Sequence, residues 1–209
     1  MDVRGMIADE RRRMADLVES LNAEQLRTRS LCGAWTVKEV VGHLVSAVAA
    51  SRASALLLLV RSGFNLHKAN ARLAAQMAVR PAGELADMLR AHAEHPFRPP
   101  VVGYPGQLTD LQVHGQDIRR PLGLAHDLQP ERLRASLDFL VGGRAVGFVP
   151  KQRPAGLRFE APDVAWSWGD GPLVRGTGEA IMMTLTGRRV ALADLSGDGV
   201  AELRGRMGR

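Results

Sequence analysis

The stretch Thr109-Asp110-Leu111-Gln112-Val113-His114-Gly115-Gln116-Asp117-Ile118-Arg119-Arg120-Pro121-Leu122-Gly123 decides the reading of this chain. As a helix it sets Asp110, His114 and Asp117 on one face, because positions i, i+4 and i+7 recur on one side at 3.6 residues per turn. Leu108, Leu111, Val113, Ile118 and Leu122 supply apolar anchoring around that face. A carboxylate one turn before an imidazole is a spacing by which one helix offers two ligands to a metal. Pairs of this kind also arise by chance, so a third ligand is required from elsewhere in the chain.

His43 supplies it. Trp35-Thr36-Val37-Lys38-Glu39 opens a helix in which Thr36 and Glu39 make a capping box and Trp35 stands where a hydrophobic staple begins. Val37, Val40, Val41, Leu44 and Val48 form its packing stripe, with His43 at the edge in a row with Ala47, Ala50 and Ser54. Small side chains beside a histidine leave room that a packed core fills, so this row reads as a cavity wall. Neighbouring bundle helices run about 8–10 Å apart, a gap that histidine and carboxylate side chains together bridge. Three protein ligands with open positions are the arrangement of a catalytic metal site. Zinc suits two imidazoles and a carboxylate, as do nickel, iron and cobalt. Asp117 stands one turn beyond His114, where it orients a ring nitrogen or meets a substrate group. The competing reading has His43 and His114 as hydrogen-bonded histidines at the core edge and Asp110 as a helix N-terminal acid favoured by the dipole.

The rest of the chain frames these residues. At 209 residues it is long enough for one full core and a small appendage. The single cysteine, Cys32, excludes an internal disulfide framework and suits a reducing compartment. The N-terminal residues are charged from Asp2 to Arg13 with no apolar run, and the longest aliphatic run, Ala55 to Val60, is too short to span a membrane. We therefore expect a cytoplasmic protein with no membrane partner. The net charge of +6 comes almost entirely from arginine, which is scattered, and aromatic residues are only 4% of the chain. Nucleic-acid binding is accordingly disfavoured.

In order, helices are expected over about 3–21, from Thr36 to about Arg61, from Phe64 to about Val79, and from Ala82 to about His95. The prolines and glycines of residues 96–106 predict an irregular crossover. The organising helix then runs from about Gln107 to Arg120, and a last bundle helix from Pro130 to about Val146. After a Pro-containing linker at residues 149–154, alternation predicts strands at 157–161, 164–168 and 173–175. A helix at 178–186 and a final helix through Met207, capped by Ser196-Gly197-Asp198-Gly199, complete the tail. The fold class is mainly α: a four-helix bundle over 1–149 and a small C-terminal α+β segment over 155–209.

Other chemistry-bearing residues have weaker cases. His92 and His95 sit near a helix C-terminus, where they complement the dipole, and His67 and His126 are expected at the surface. Cys32, just before a helix start, is either an activated thiol or a buried inert one. The turns at Asp170 and Asp198 lack the remainder of a calcium loop. No phosphate-binding loop, dinucleotide fingerprint or serine-nucleophile elbow is present.

Leu31-Cys32-Gly33-Ala34-Trp35-Thr36-Val37-Lys38-Glu39-Val40-Val41-Gly42-His43-Leu44, taken with Asp110 to Gly123, resembles the maleylpyruvate isomerase family of mycothiol-dependent enzymes, within the DinB-like superfamily. Leu195-Ser196-Gly197-Asp198-Gly199 is similar to its C-terminal portion. The resemblance implies a DinB-like four-helix bundle holding a divalent metal through His43, Asp110 and His114. Asp110 stands where the family's isomerase has glutamate. The resemblance further implies that the metal activates a low-molecular-weight thiol, mycothiol, for transfer to or isomerisation of an electrophilic substrate. Arg119 and Arg120 are then candidates to meet carboxylates of the thiol or substrate. The alternative is a non-catalytic metal-binding or interaction module that keeps the bundle without the chemistry.

Overall fold

A computed structural model describes residues 2–33, 35–49, 57–58, 60–63, 65–126 and 128–208. Its elements are α1 (Val3–Ser20), α2 (Ala23–Arg27), α3 (Val37–Ala49), α4 (Leu66–Ala78), α5 (Ala82–Ala91), α6 (Gly103–Arg119), α7 (Pro130–Val141), β1 (Arg158–Ala161), β2 (Trp166–Trp168), β3 (Leu173–Arg175), α8 (Gly178–Leu185) and α9 (Val200–Arg206). Tight 3-10 turns stand at Pro162–Val164 and Arg189–Asp194. The chain is thus mainly α with one small sheet. No helix among the described residues is long and apolar enough to cross a membrane.

The chain forms two compact units, Met1–Phe97 with His114–His126, and Arg98–Val113 with Asp127–Arg209. In the first, α3 packs on α4, and α1 on α5. Met6, Ile7, Met14, Leu17 and Val18 of α1, Val37, Val40, Val41, Leu44 and Val45 of α3, and Leu85 and Leu89 of α5 are buried. Gly42 permits the α3–α4 approach: a Cβ there would stand 2.4 Å from the carbonyl oxygen of Ala74. The expected capping box is present, with Glu39 accepting from the Thr36 backbone N–H at 2.8 Å and Thr36 Oγ1 accepting from the Glu39 N–H at 3.3 Å. The helix expected to reach Arg61 is described as far as Ala49; residues 50–56 lie outside the described residues. Residues 57–58 and 60–61 are again helical, and Gly63 follows with φ of 63°.

Two local readings need correction. Residues 96–106 are not irregular throughout, because α6 begins at Gly103 and takes Tyr104, Pro105 and Gly106 into its first turn. Proline is tolerated there, where its missing N–H has no helical partner to lose. Gly106 is needed at that point, since a Cβ would stand 2.5 Å from Cβ of Val102. The second correction concerns α9, whose N-cap is Gly199 with no side-chain hydrogen bond. Asp198 instead accepts from the Leu173 N–H of β3 at 2.7 Å. A short helix the spacing did not predict, α2, is held by a capping box of Asn22 and Gln25.

The second unit buries Leu133, Leu137 and Leu140 of α7 and every residue of α8. Its sheet has the order β2-β1-β3. β1 pairs antiparallel with β2, Phe159 facing Trp168, and parallel with β3, Phe159 beside Val174. Phe159 and Val174 are fully buried, the inward half of the predicted alternation.

Candidate metal centre

Most surface helices bury one apolar stripe. α6 departs from that pattern: along with Leu108, Leu111, Val113 and Ile118 it buries Gln107, Thr109, Gln112, His114, Gln116 and Asp117. Each such group costs free energy unless partnered, so so many polar side chains inside one helix mark a site. Gln112 donates to Ser136 Oγ at 2.7 Å and to the Arg132 carbonyl at 3.1 Å. Gln116 donates to the His126 carbonyl at 2.8 Å.

The ligand atoms of His43, Asp110 and His114 all lie within 4.8 Å of one another. The three residues named from the spacing are thus brought together. His114 is 7% exposed and Asp117 0%. Asp117 Oδ2 stands 2.9 Å from His114 Nδ1, which fixes the ring and turns Nε2 into the nitrogen that would meet a cation. Asp110 is not a helix-starting acid, because α6 begins two turns earlier at Gly103. The dipole account of that residue therefore fails.

Trp35 fixes the imidazoles from a third direction. Its ring centroid lies 5.3 Å from that of His43 and 6.4 Å from that of His114. The two imidazoles themselves meet edge to face at 4.9 Å and 73°. Of the row expected to line a cavity beside His43, Ala47 is exposed, and Ala50 and Ser54 lie outside the described residues.

The turn before α3 is bound to α6 by backbone. Leu31 N–H donates to the Asp117 carbonyl at 3.1 Å, and Ser30 N–H to the Trp35 carbonyl at 2.9 Å. This places Cys32, half-buried, beside the pair: its Sγ and the ligand atoms of His114 and Asp117 are also within 4.8 Å of one another. Spacing did not point to that neighbour, because the link is a backbone hydrogen bond between distant segments and carries no side-chain signature.

The remaining candidates lie as follows. Arg119 Nη1 donates to the Ala125 carbonyl at 3.0 Å, closing the turn after α6, and Arg120 is half-buried at its end. His67 and His126 are exposed, as expected. His92 caps α5, its Nδ1 2.9 Å from the Met88 carbonyl. The carbonyls beyond that end are met by Arg11 of α1, whose Nη1 donates to His92 at 2.9 Å and Ala93 at 2.7 Å. Burial lowers the Arg11 guanidinium to about 10, against the pull of Glu94.

Comparison with known proteins bears on the fold and the family. No curated protein matches the chain. The crystal structure of a mycothiol-dependent maleylpyruvate isomerase carrying a histidine-to-alanine substitution has a similar fold. Its TM-score is 0.60 at 12% identity, with 95% of this chain and 93% of that one covered. A second crystal structure of the mycothiol-dependent maleylpyruvate isomerase gives 0.55 at 12% identity over the same shares. The fold is accordingly the mainly α, DinB-like four-helix bundle with its small C-terminal α+β segment. The family described as the mycothiol maleylpyruvate isomerase N-terminal domain matches residues 7–119, more than half of the sequence and the part that contains His43, Asp110, His114 and Asp117. This chain belongs to that family.

Proposed function

We propose that this protein is a divalent-metal enzyme that activates a low-molecular-weight thiol of the mycothiol type for transfer or isomerisation. The observation that carries the reading is the convergence of His43, Asp110 and His114 ligand atoms within 4.8 Å, with His114 oriented by buried Asp117. Two imidazoles and a carboxylate fit a divalent ion of the zinc class, with nickel, iron and cobalt compatible. When bound, such an ion supplies Lewis acidity and favours the thiolate form of a coordinated thiol.

The chain's own residues do the rest. Asp117 accepts from His114 Nδ1, which would leave the opposite nitrogen to hold the ion. Trp35 packs against both imidazoles and limits their rotation. Asp110 has one methylene fewer than glutamate and would hold the ion through a shorter arm. We assign Arg119 and Arg120 to carboxylates of the thiol or the electrophilic substrate. Substituting either with alanine then raises the thiol KM while metal content stays constant. The protein acts in the cytoplasm in this reading, without membrane or nucleic-acid partners.

The test is metal analysis of protein purified without chelator, followed by calorimetry with mycothiol. One ion per chain, lost in the His43→Ala, Asp110→Ala and His114→Ala variants, together with metal-dependent thiol binding, supports the enzyme. Bound metal without thiol affinity favours the non-catalytic module instead. Metal content unchanged in all three variants overturns the site.

A further inference from the structure

Among the described residues, a second set of metal-binding side chains comes together besides His43, Asp110 and His114. It consists of Cys32, His114 and Asp117, ligand atoms within 4.8 Å of one another. Asp117 and His114 are buried and Cys32 half-buried. The sulfur is held in place by its turn: Cys32 N–H donates to Ser30 Oγ at 3.1 Å, and Trp35 N–H to the Cys32 carbonyl at 3.2 Å. The same turn is fastened to Asp117 through Leu31.

We propose that Cys32, His114 and Asp117 form a second cation site, selective for thiophilic divalent ions such as cadmium and zinc. An imidazole carries two nitrogens on different edges of the ring. Nδ1 of His114 is the one against Asp117, and we assign Nε2 to the set with His43 and Asp110. The two sets therefore share a ring without sharing a nitrogen. A sulfur, a nitrogen and a carboxylate oxygen make a donor set of the softer divalent ions, and the sulfur distinguishes it from the first set. Loading releases the thiol proton to solvent, and the ion displaces the proton on Nδ1, which moves to Nε2 of the same ring.

The consequence is antagonism. Asp117 would spend its carboxylate on the soft ion and cease to orient His114 by hydrogen bonding. Excess thiophilic ion then weakens the first set and inhibits its chemistry. Only this consequence rests on the metal-dependent function proposed above; binding at the sulfur set stands by itself.

The probe is cadmium, titrated into the full chain after chelator treatment, with ions per chain counted by elemental analysis. The thiolate-to-cadmium charge-transfer absorption in the ultraviolet reports sulfur ligation. The wild type is expected to develop this band in proportion to one bound ion. Cys32→Ser, shown folded by circular dichroism, should lose the band and one ion, while His43→Ala should keep the band. Cadmium should also protect Cys32 from alkylation by iodoacetamide. A wild type that binds cadmium without the band, or binds none, overturns the proposal. Loss of the band in His43→Ala also overturns it, because the sulfur would then belong to a single shared site. A wild-type band with no ion left in Cys32→Ser leaves the sulfur site standing and removes the His43–Asp110–His114 reading instead.

Discussion

Asp117 is 0% exposed, and one of its carboxylate oxygens is occupied by His114. A buried carboxylate is costly unless its partners are good, which leaves little tolerance at this position. Replacing Asp117 with Asn keeps the volume and removes the charge that holds the proton on Nδ1. We expect metal affinity to fall about 10–100-fold, the usual effect of losing such an orienting partner, with the helical circular dichroism spectrum unchanged. Competition with a chromophoric chelator measures it; an affinity equal to wild type would remove the orienting role. Of this residue's neighbours, His114 was legible from the i, i+3 spacing alone, since both lie on one helix. The Trp35 contact was not, because a helix-start aromatic has many possible partners and sequence spacing does not choose among them. Neither was Cys32, which sequence position marks only as a thiol near a helix start.

At the scale of elements, α3 and α6 carry the proposed ligands, and α4 decides where α3 can lie. Gly42 immediately precedes His43, and a methyl group there would meet the Ala74 carbonyl, which belongs to backbone and cannot rotate away. Gly42→Ala should therefore separate α3 from α4 and cost about 1–3 kcal/mol, the range for overpacking a close contact. A urea denaturation midpoint measures that cost. Loss of metal affinity beyond it would show that His43 moves with the helix. The start of α3 was readable in detail, because its capping box is local chemistry between residues three apart. The start of α6 was not: Tyr104-Pro105-Gly106 carries breaker residues, and only the packing of Gly106 against Val102 shows why they are accommodated inside a first turn.

For the whole molecule, a ligand that binds only the folded chain raises stability by mass action. At a thousand times its dissociation constant the gain is about 4 kcal/mol. For a chain of this size that corresponds to a Tm shift on the order of 10 °C. Chelator treatment should lower Tm by that amount, re-addition of zinc should restore it, and the His114→Ala variant should show neither effect. The helical class and the three short strands followed from periodicity, since 3.6-residue and two-residue repeats are properties of local sequence. The compact units did not, because their division falls inside α6, where helical periodicity is unbroken. The boundary at residues 149–155 remains our proposal for where the chain is most open to proteolysis, and limited digestion would locate it.

The hydrogen bond from Leu31 N–H to the Asp117 carbonyl engages no side chain at either end. Drift can replace Leu31 with any of eighteen other amino acids and the donor persists. Proline alone deletes the donor. Leu31→Pro should thus unfasten the turn, freeing Cys32 to react with alkylating reagents faster than in any other replacement at that position. An attachment written in the main chain is inherited almost regardless of spelling, so relatives can lose every familiar letter of this turn and still deliver an early segment to the same helix.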